Sequence, residues 1–141
     1  MTRQLECACA SLRRAARAVT QQYDGALRAV GMRATQFTLL QALVRAGPLP
    51  QGELGELLAI DTTTLSRTLG LLERQGWVRA RPGTDRRVRR WSVTAAGRRA
   101  YQRGVPHWER AQEQLRRTVG DNAFRYLLLA TARVTDAVHA G

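Results

Sequence analysis

The sequence predicts a mainly α-helical fold with a single small β-hairpin, and three observations carry that expectation. Apolar residues recur at three- and four-residue spacing along most of the chain. Near Gly76 the period shortens from 3.6 towards 2 and stays short to Val93, with Pro82-Gly83-Thr84-Asp85 supplying turn chemistry midway. The charge gathers in the same region: ten arginines between Arg74 and Arg103 face the single acid Asp85, a local +9 out of a net +12.

The first helix is a seam of Leu5, Cys9, Leu12, Ala16, Val19, Tyr23, Ala26 and Val30, with Arg13, Arg14, Arg17 and Gln21 off it and Gly31 suited to its C-terminal cap. Thr35 opens a second helix, lined by Phe37, Leu40, Leu43 and Val44 and stopped by Gly47-Pro48. A short third helix follows Pro50 with Leu54, Leu57 and Leu58 inward. Asp61 is a good N-cap for a fourth, because its carboxylate accepts orphan backbone N–H groups. Leu65, Leu69 and Leu72 mark the buried face of that helix, and Thr62, Thr63, Ser66, Arg67, Gly70 and Arg74 the opposite one.

Gly76 closes the fourth helix, and Trp77–Arg81 and Val88–Val93 read as two strands of a basic hairpin. Trp77 and Trp91 suit packing of this hairpin onto its neighbours. Thr94 caps a fifth helix presenting Tyr101, Gly104, Trp108, Ala111, Leu115 and Thr118, which Pro106 should kink or interrupt. From about Asp121 a sixth carries Phe124, Leu127, Leu128, Thr131, Val134 and Val138.

A chain of 141 residues fits one domain, 1–141. Its apolar stretches fall short of the roughly 20 residues a bilayer span needs, and Met1-Thr2-Arg3 leads into no signal-peptide core, so a cytoplasmic location without membrane contact is expected. No Gly-rich phosphate loop, nucleophile elbow or paired carboxylates point to an enzyme. His107 and His139 lack ligand spacing, and no cofactor is required.

Two short helices followed by an arginine-rich hairpin form the order of a winged helix-turn-helix. An α-helix fits the major groove, and a hairpin tip reaches the minor groove or the phosphates. The expected partner is double-stranded DNA. Thr62, Thr63, Ser66, Arg67 and Arg74 make the groove-facing set, with Arg67 the best candidate for bidentate guanine readout. Asp85, Arg86, Arg87, Arg89 and Arg90 make the wing set. A non-specific architectural protein would share the basic patch without needing a defined recognition face. The seams of the first, fifth and sixth helices exceed what one small winged lobe can cover, which calls for a partner.

The residues also resemble the MarR (multiple antibiotic resistance regulator) family of bacterial transcription factors. Leu72-Glu73-Arg74-Gln75-Gly76 is similar to the family's Leu-Glu-x-x-Gly; Asp85-Arg86-Arg87 and Val93-Thr94-Ala95-Ala96-Gly97 are similar to its wing pattern. The resemblance implies a homodimer built from 1–31 and 98–141, a DNA-binding lobe at 35–97, Arg87 reaching a groove, and a pseudo-palindromic operator. It also implies a cleft for small aromatic effectors between the dimer helices and the lobe.

Cys7-Ala8-Cys9 offers a second input. Thiolates are soft ligands and nucleophiles, so a metalloid, a soft metal cation or an oxidant acting at Cys7 and Cys9 is the second effector class, with Arg13 and Arg14 nearby. On a regular helix residues i and i+2 point about 200° apart, so both grip one ion only if the N-terminus is extended. Cys9 also fits as an ordinary small seam residue, with Cys7 incidental.

Overall fold

A computed structural model describes residues 3–140 of the chain. In order these form α1 (Ala8–Leu27), a 3-10 turn (Arg28–Val30), α2 (Ala34–Ala46), β1 (Leu49–Pro50), α3 (Gln51–Leu58), α4 (Thr62–Arg74), β2 (Val78–Pro82), β3 (Arg89–Val93), α5 (Ala95–Val119) and α6 (Asp121–His139). The fold is the expected mainly helical winged helix-turn-helix.

The N-terminal helix starts later than the seam suggests. Cys7 is its N-cap, with extended backbone at φ −96° and ψ 118°, so Leu5 lies ahead of the helix. Gly31 takes the left-handed conformation (φ 68°), as its place after the last apolar seam residue requires. The second helix begins at Ala34, where the Asp24 carboxylate accepts the backbone N–H at 2.7 Å. That cap comes from ten residues upstream, outside any local capping pattern.

Phe37, Leu40, Leu43, Leu54, Leu65, Leu69, Leu72, Val78 and Trp91 share one core. The Phe37 ring stacks on Tyr101 and Trp108 with centroids 5.2 and 5.7 Å away, which seats α2 on α5. Gly104 lets this ring approach, since a Cβ there would lie 2.9 Å from it. Leu57 corrects the expectation for α3: it is 59% exposed, while Leu54 is buried and Leu58 half-buried.

The hairpin is part of a three-stranded antiparallel sheet ordered β1-β3-β2, with Leu49 opposite Trp91 and Ala80 opposite Trp91 on the other side. Two residues of β1 carry no period, so sequence reasoning missed them. Pro106 neither ends nor splits α5, which runs unbroken to Val119. The carbonyl it deprives of a donor belongs to Gln102, and both residues are exposed, so the freed group lies on the solvent side of the helix.

The hairpin and α5 meet in a tight junction. Thr94 donates its backbone N–H to the Trp77 carbonyl at 2.9 Å, while its hydroxyl donates to the Gly76 carbonyl and accepts from Gly97 N–H at 3.0 Å. A Cβ on Gly97 would lie 1.9 Å from the Trp77 carbonyl oxygen. This explains the Thr-x-x-Gly spacing: threonine caps the helix, and glycine lets its first turn touch the strand backbone. Gly97→Ala should therefore cost about 2 kcal/mol or more, because backbone rather than a mobile side chain must give way. Thermal unfolding against wild type measures it, and an unchanged midpoint would show that the junction relaxes freely.

Candidate nucleic-acid interface

The fourth helix starts where Asp61 caps it, its carboxylate accepting Thr64 N–H at 3.0 Å and the Thr64 hydroxyl. Those bonds, the hydroxyl first and the backbone N–H second, hold the Asp61 carboxyl below its ordinary range. Leu65, Leu69 and Leu72 are buried beneath the helix, and Thr62, Thr63, Ser66, Arg67 and Arg74 are exposed above it. Leu71, exposed on the flank of that face, was not anticipated.

The wing tip is built by Asp85. Its carboxylate accepts the Arg87 N–H at 3.0 Å and its carbonyl the Val88 N–H, while Gly83 N–H closes onto the Val88 carbonyl. Asp85 thus shapes the turn, which accounts for the Asp-x-Arg spacing. The side chains of Arg86 and Arg87 stand exposed at the tip.

The strand that follows divides the remaining wing arginines between two faces. Arg89 lies on the Trp91 side, its guanidinium 5.3 Å from the centre of that ring. Arg90 pairs with Arg81 on the opposite side and donates to the Pro48 carbonyl at 3.0 Å. The four wing arginines are therefore not one patch: Arg90 belongs with Arg79 and Arg81 on the back of the sheet.

A groove of about 910 Å³ opens between α3, the start of α4 and the wing, bringing Asp61 and Thr62 together with Arg87, Val88 and Arg89. Gln51 spans it. Its Oε1 accepts the Trp91 indole N–H at 3.1 Å and its Nε2 donates to the Ser66 hydroxyl at 2.8 Å. Sequence reasoning passed over Gln51, because a glutamine after Pro50 looks like any helix start.

The two cysteines are far less organised. Both are exposed and unbridged, Cys7 in extended backbone ahead of α1 and Cys9 in its first turn. The segment before them folds back, with the Ser11 hydroxyl donating to the Leu5 carbonyl and Arg14 to the Arg3 carbonyl. The opposed directions of i and i+2 on a regular helix do not bind this pair, since Cys7 is outside the helix. Among the described residues no group of three or more His, Cys, Asp or Glu side chains could hold a metal ion, and no helix is long and apolar enough to cross a membrane.

A sequence model of the MarR family matches residues 30–88, the span from the end of the 3-10 turn to the wing tip. The crystal structure of the M. tuberculosis transcriptional regulator MosR in complex with DNA is 38% identical, with a TM-score of 0.86 over 96% of this chain and 98% of that one. The chain belongs to the MarR family. The HTH-type transcriptional regulator YwoH of Bacillus subtilis is 29% identical over 91 residues, 64% of this chain and 66% of that protein. A mutant E. coli MarR complexed with operator DNA is 20% identical, with a TM-score of 0.79 over 87% of this chain and 89% of that one, a likeness of fold.

The Asp61 cap makes this MarR-family chain acid-sensitive at its polar helix. A carboxyl depressed in the folded state stabilises it above the ordinary carboxylate range, and that contribution disappears as pH falls through the depressed value. The Thr63–Leu65 amides should therefore lose protection, measured against their intrinsic exchange rates, in acid before the Leu69–Leu72 amides do. In Asp61→Asn, whose side chain does not titrate, that early acid step should be missing; its persistence would assign the step to another group.

Proposed function

We propose that the chain is a sequence-specific DNA-binding transcriptional regulator, a homodimer on a pseudo-palindromic operator, acting as a repressor that an effector releases. The observation that carries this reading is the groove between α4 and the wing. It sets the capped start of a helix of major-groove width, at Asp61 and Thr62, beside Arg87 and Arg89 of the wing, with Ser66 and Arg67 exposed further along the same helix. A merely architectural protein needs the charge but not this capped, rigidly seated polar face. The DNA in the MosR complex supports the same direction.

The homodimer is supported by what a single chain leaves uncovered. No residue of α6 is buried, and Leu12, Leu128, Val134 and Tyr126 are exposed, the last at 76%. An apolar cavity of about 480 Å³ between α1, α5 and α6 is lined by Leu12, Val19, Phe124, Leu127 and Val134. A second copy covering this surface would present two recognition helices to half-sites about 34 Å apart.

Arg87→Ala should weaken operator binding by about 1 kcal/mol or more and lower the salt slope by about one, leaving the fold intact. Arg67→Ala should instead relax base preference at one position per half-site. Titrations of operator and random DNA at about 0.15 M salt separate the two. Equal losses on both DNAs for Arg67→Ala would remove it from base reading, and wild-type protein without preference for any sequence would favour the architectural alternative.

The input we propose is a small ligand in the cleft beside the dimer helices, or a metalloid or oxidant at Cys7 and Cys9. Two exposed thiols flanking the start of a dimer helix support the second: a ligand there can bias helix geometry, and differential affinity for two states releases DNA. Arsenite, antimonite and a hydroperoxide, titrated separately, should dissociate the wild-type complex and spare the Cys7→Ser, Cys9→Ser double mutant. Release of both alike, or of neither, would move the sensor to the cleft.

A further inference from the structure

We infer that Ser66 acts preferentially as a hydrogen-bond donor to DNA, and that the wing sets this bias through Gln51. The inference rests on the reading of α4 as the DNA-recognition helix.

The polarity follows from the one group in the chain of bonds that has no choice. An indole N–H donates and never accepts. The Trp91 ring is 3% exposed within the core, and its N–H lies 3.1 Å from Gln51 Oε1. The amide oxygen is thereby committed to the wing, so the amide nitrogen faces α4, 2.8 Å from Ser66 Oγ. An amide nitrogen only donates, and Ser66 Oγ must accept. Its own proton then needs another acceptor.

A helical serine usually gives that proton to the carbonyl one turn back. Thr68 does so, donating to the Thr64 carbonyl at 3.0 Å, and the Thr64 hydroxyl goes to Asp61. Among the described residues Ser66 makes no such bond, and it is exposed on the polar face of α4. A free serine matches either donors or acceptors on DNA, because its hydroxyl rotates. With one lone pair held by Gln51, the hydroxyl keeps its proton and its second lone pair, and the relay Trp91–Gln51–Ser66 polarises it so that it donates more strongly and accepts more weakly. The position therefore suits a purine N7, guanine O6, thymine O4 or phosphate oxygen, and disfavours the exocyclic amines of adenine and cytosine.

The test uses the full chain and an operator selected from a random duplex pool. Each base acceptor is removed in turn with an analogue lacking N7, O6 or O4, and each phosphate is replaced by methylphosphonate. One substitution per half-site should weaken wild type about fivefold and leave Ser66→Ala unaffected. A base analogue behaving so identifies base readout; a methylphosphonate identifies positioning. Gln51→Glu offers acceptors to both Trp91 and Ser66 and draws the serine proton inward. Its charge lowers affinity for all DNA, but the penalty at the same analogue should vanish, and that ratio is the readout. In the DNA-free protein, the Trp91 indole N–H should exchange slowly in wild type and Gln51→Glu and faster in Gln51→Leu.

Wild-type sensitivity retained in Ser66→Ala or in Gln51→Glu, or indole exchange indifferent to Gln51→Leu, would overturn the relay. If Arg67→Ala loses base preference while no base analogue or methylphosphonate distinguishes wild type from Ser66→Ala, the relay alone falls. A pool that yields no preferred sequence removes the recognition-helix reading and the relay with it.

Discussion

Gly97 has no space for a side chain, and the contact this permits ties the three working parts of the chain together. Its turn of α5 rests on the Trp77 carbonyl, the same oxygen that accepts from Thr94. Trp77 lies three residues past the end of α4, with Gly76 between helix and strand in the left-handed conformation. The polar helix α4, the wing and the long α5 therefore leave one small knot of backbone bonds, in which a shift of one element must move the others. Close packing makes such a junction stiff.

That stiffness gives the proposed dimer its meaning. The same α5 that starts at the knot runs 25 residues, passes Tyr101 and Trp108 across Phe37, and ends beside α6. Tyr23 donates to Gln112 and so joins α1 to the distal half of α5. A change of packing at the outer helices has a continuous mechanical path to α4, without passing through a loop. Two cysteines at the start of α1 lie at one end of this path.

Charge on the wing is arranged rather than spread. The turn at Asp85 projects Arg86 and Arg87, the Trp91 ring carries Arg89 on the inner side, and Arg90 is drawn to the Pro48 carbonyl behind. Directly opposed Arg81 and Arg90 would repel on one strand pair. The bond to the Pro48 carbonyl, just ahead of β1, gives Arg90 a partner behind the sheet, while Arg89 stays on the Trp91 side.

Local chemistry determined much of this protein by itself. The leucine period of α4, the Asp61 and Thr94 caps, the left-handed glycines at 31 and 76 and the turn around Asp85 each act within a few residues, so the sequence displays them directly. The tertiary structure decided what depends on distant partners. Asp24 caps α2 from another helix, β1 exists only because Trp91 and Arg90 are there to pair with it, and of the leucines of α3 Leu54 takes the core while Leu57 faces outward. Pro106 is tolerated on the exposed side of α5, where the Gln102 carbonyl it frees is not buried among apolar groups. Gln51 acquires its place only when β3 and α4 close on it from two sides, and no spacing along the chain can announce a hydrogen bond whose donor lies forty residues away.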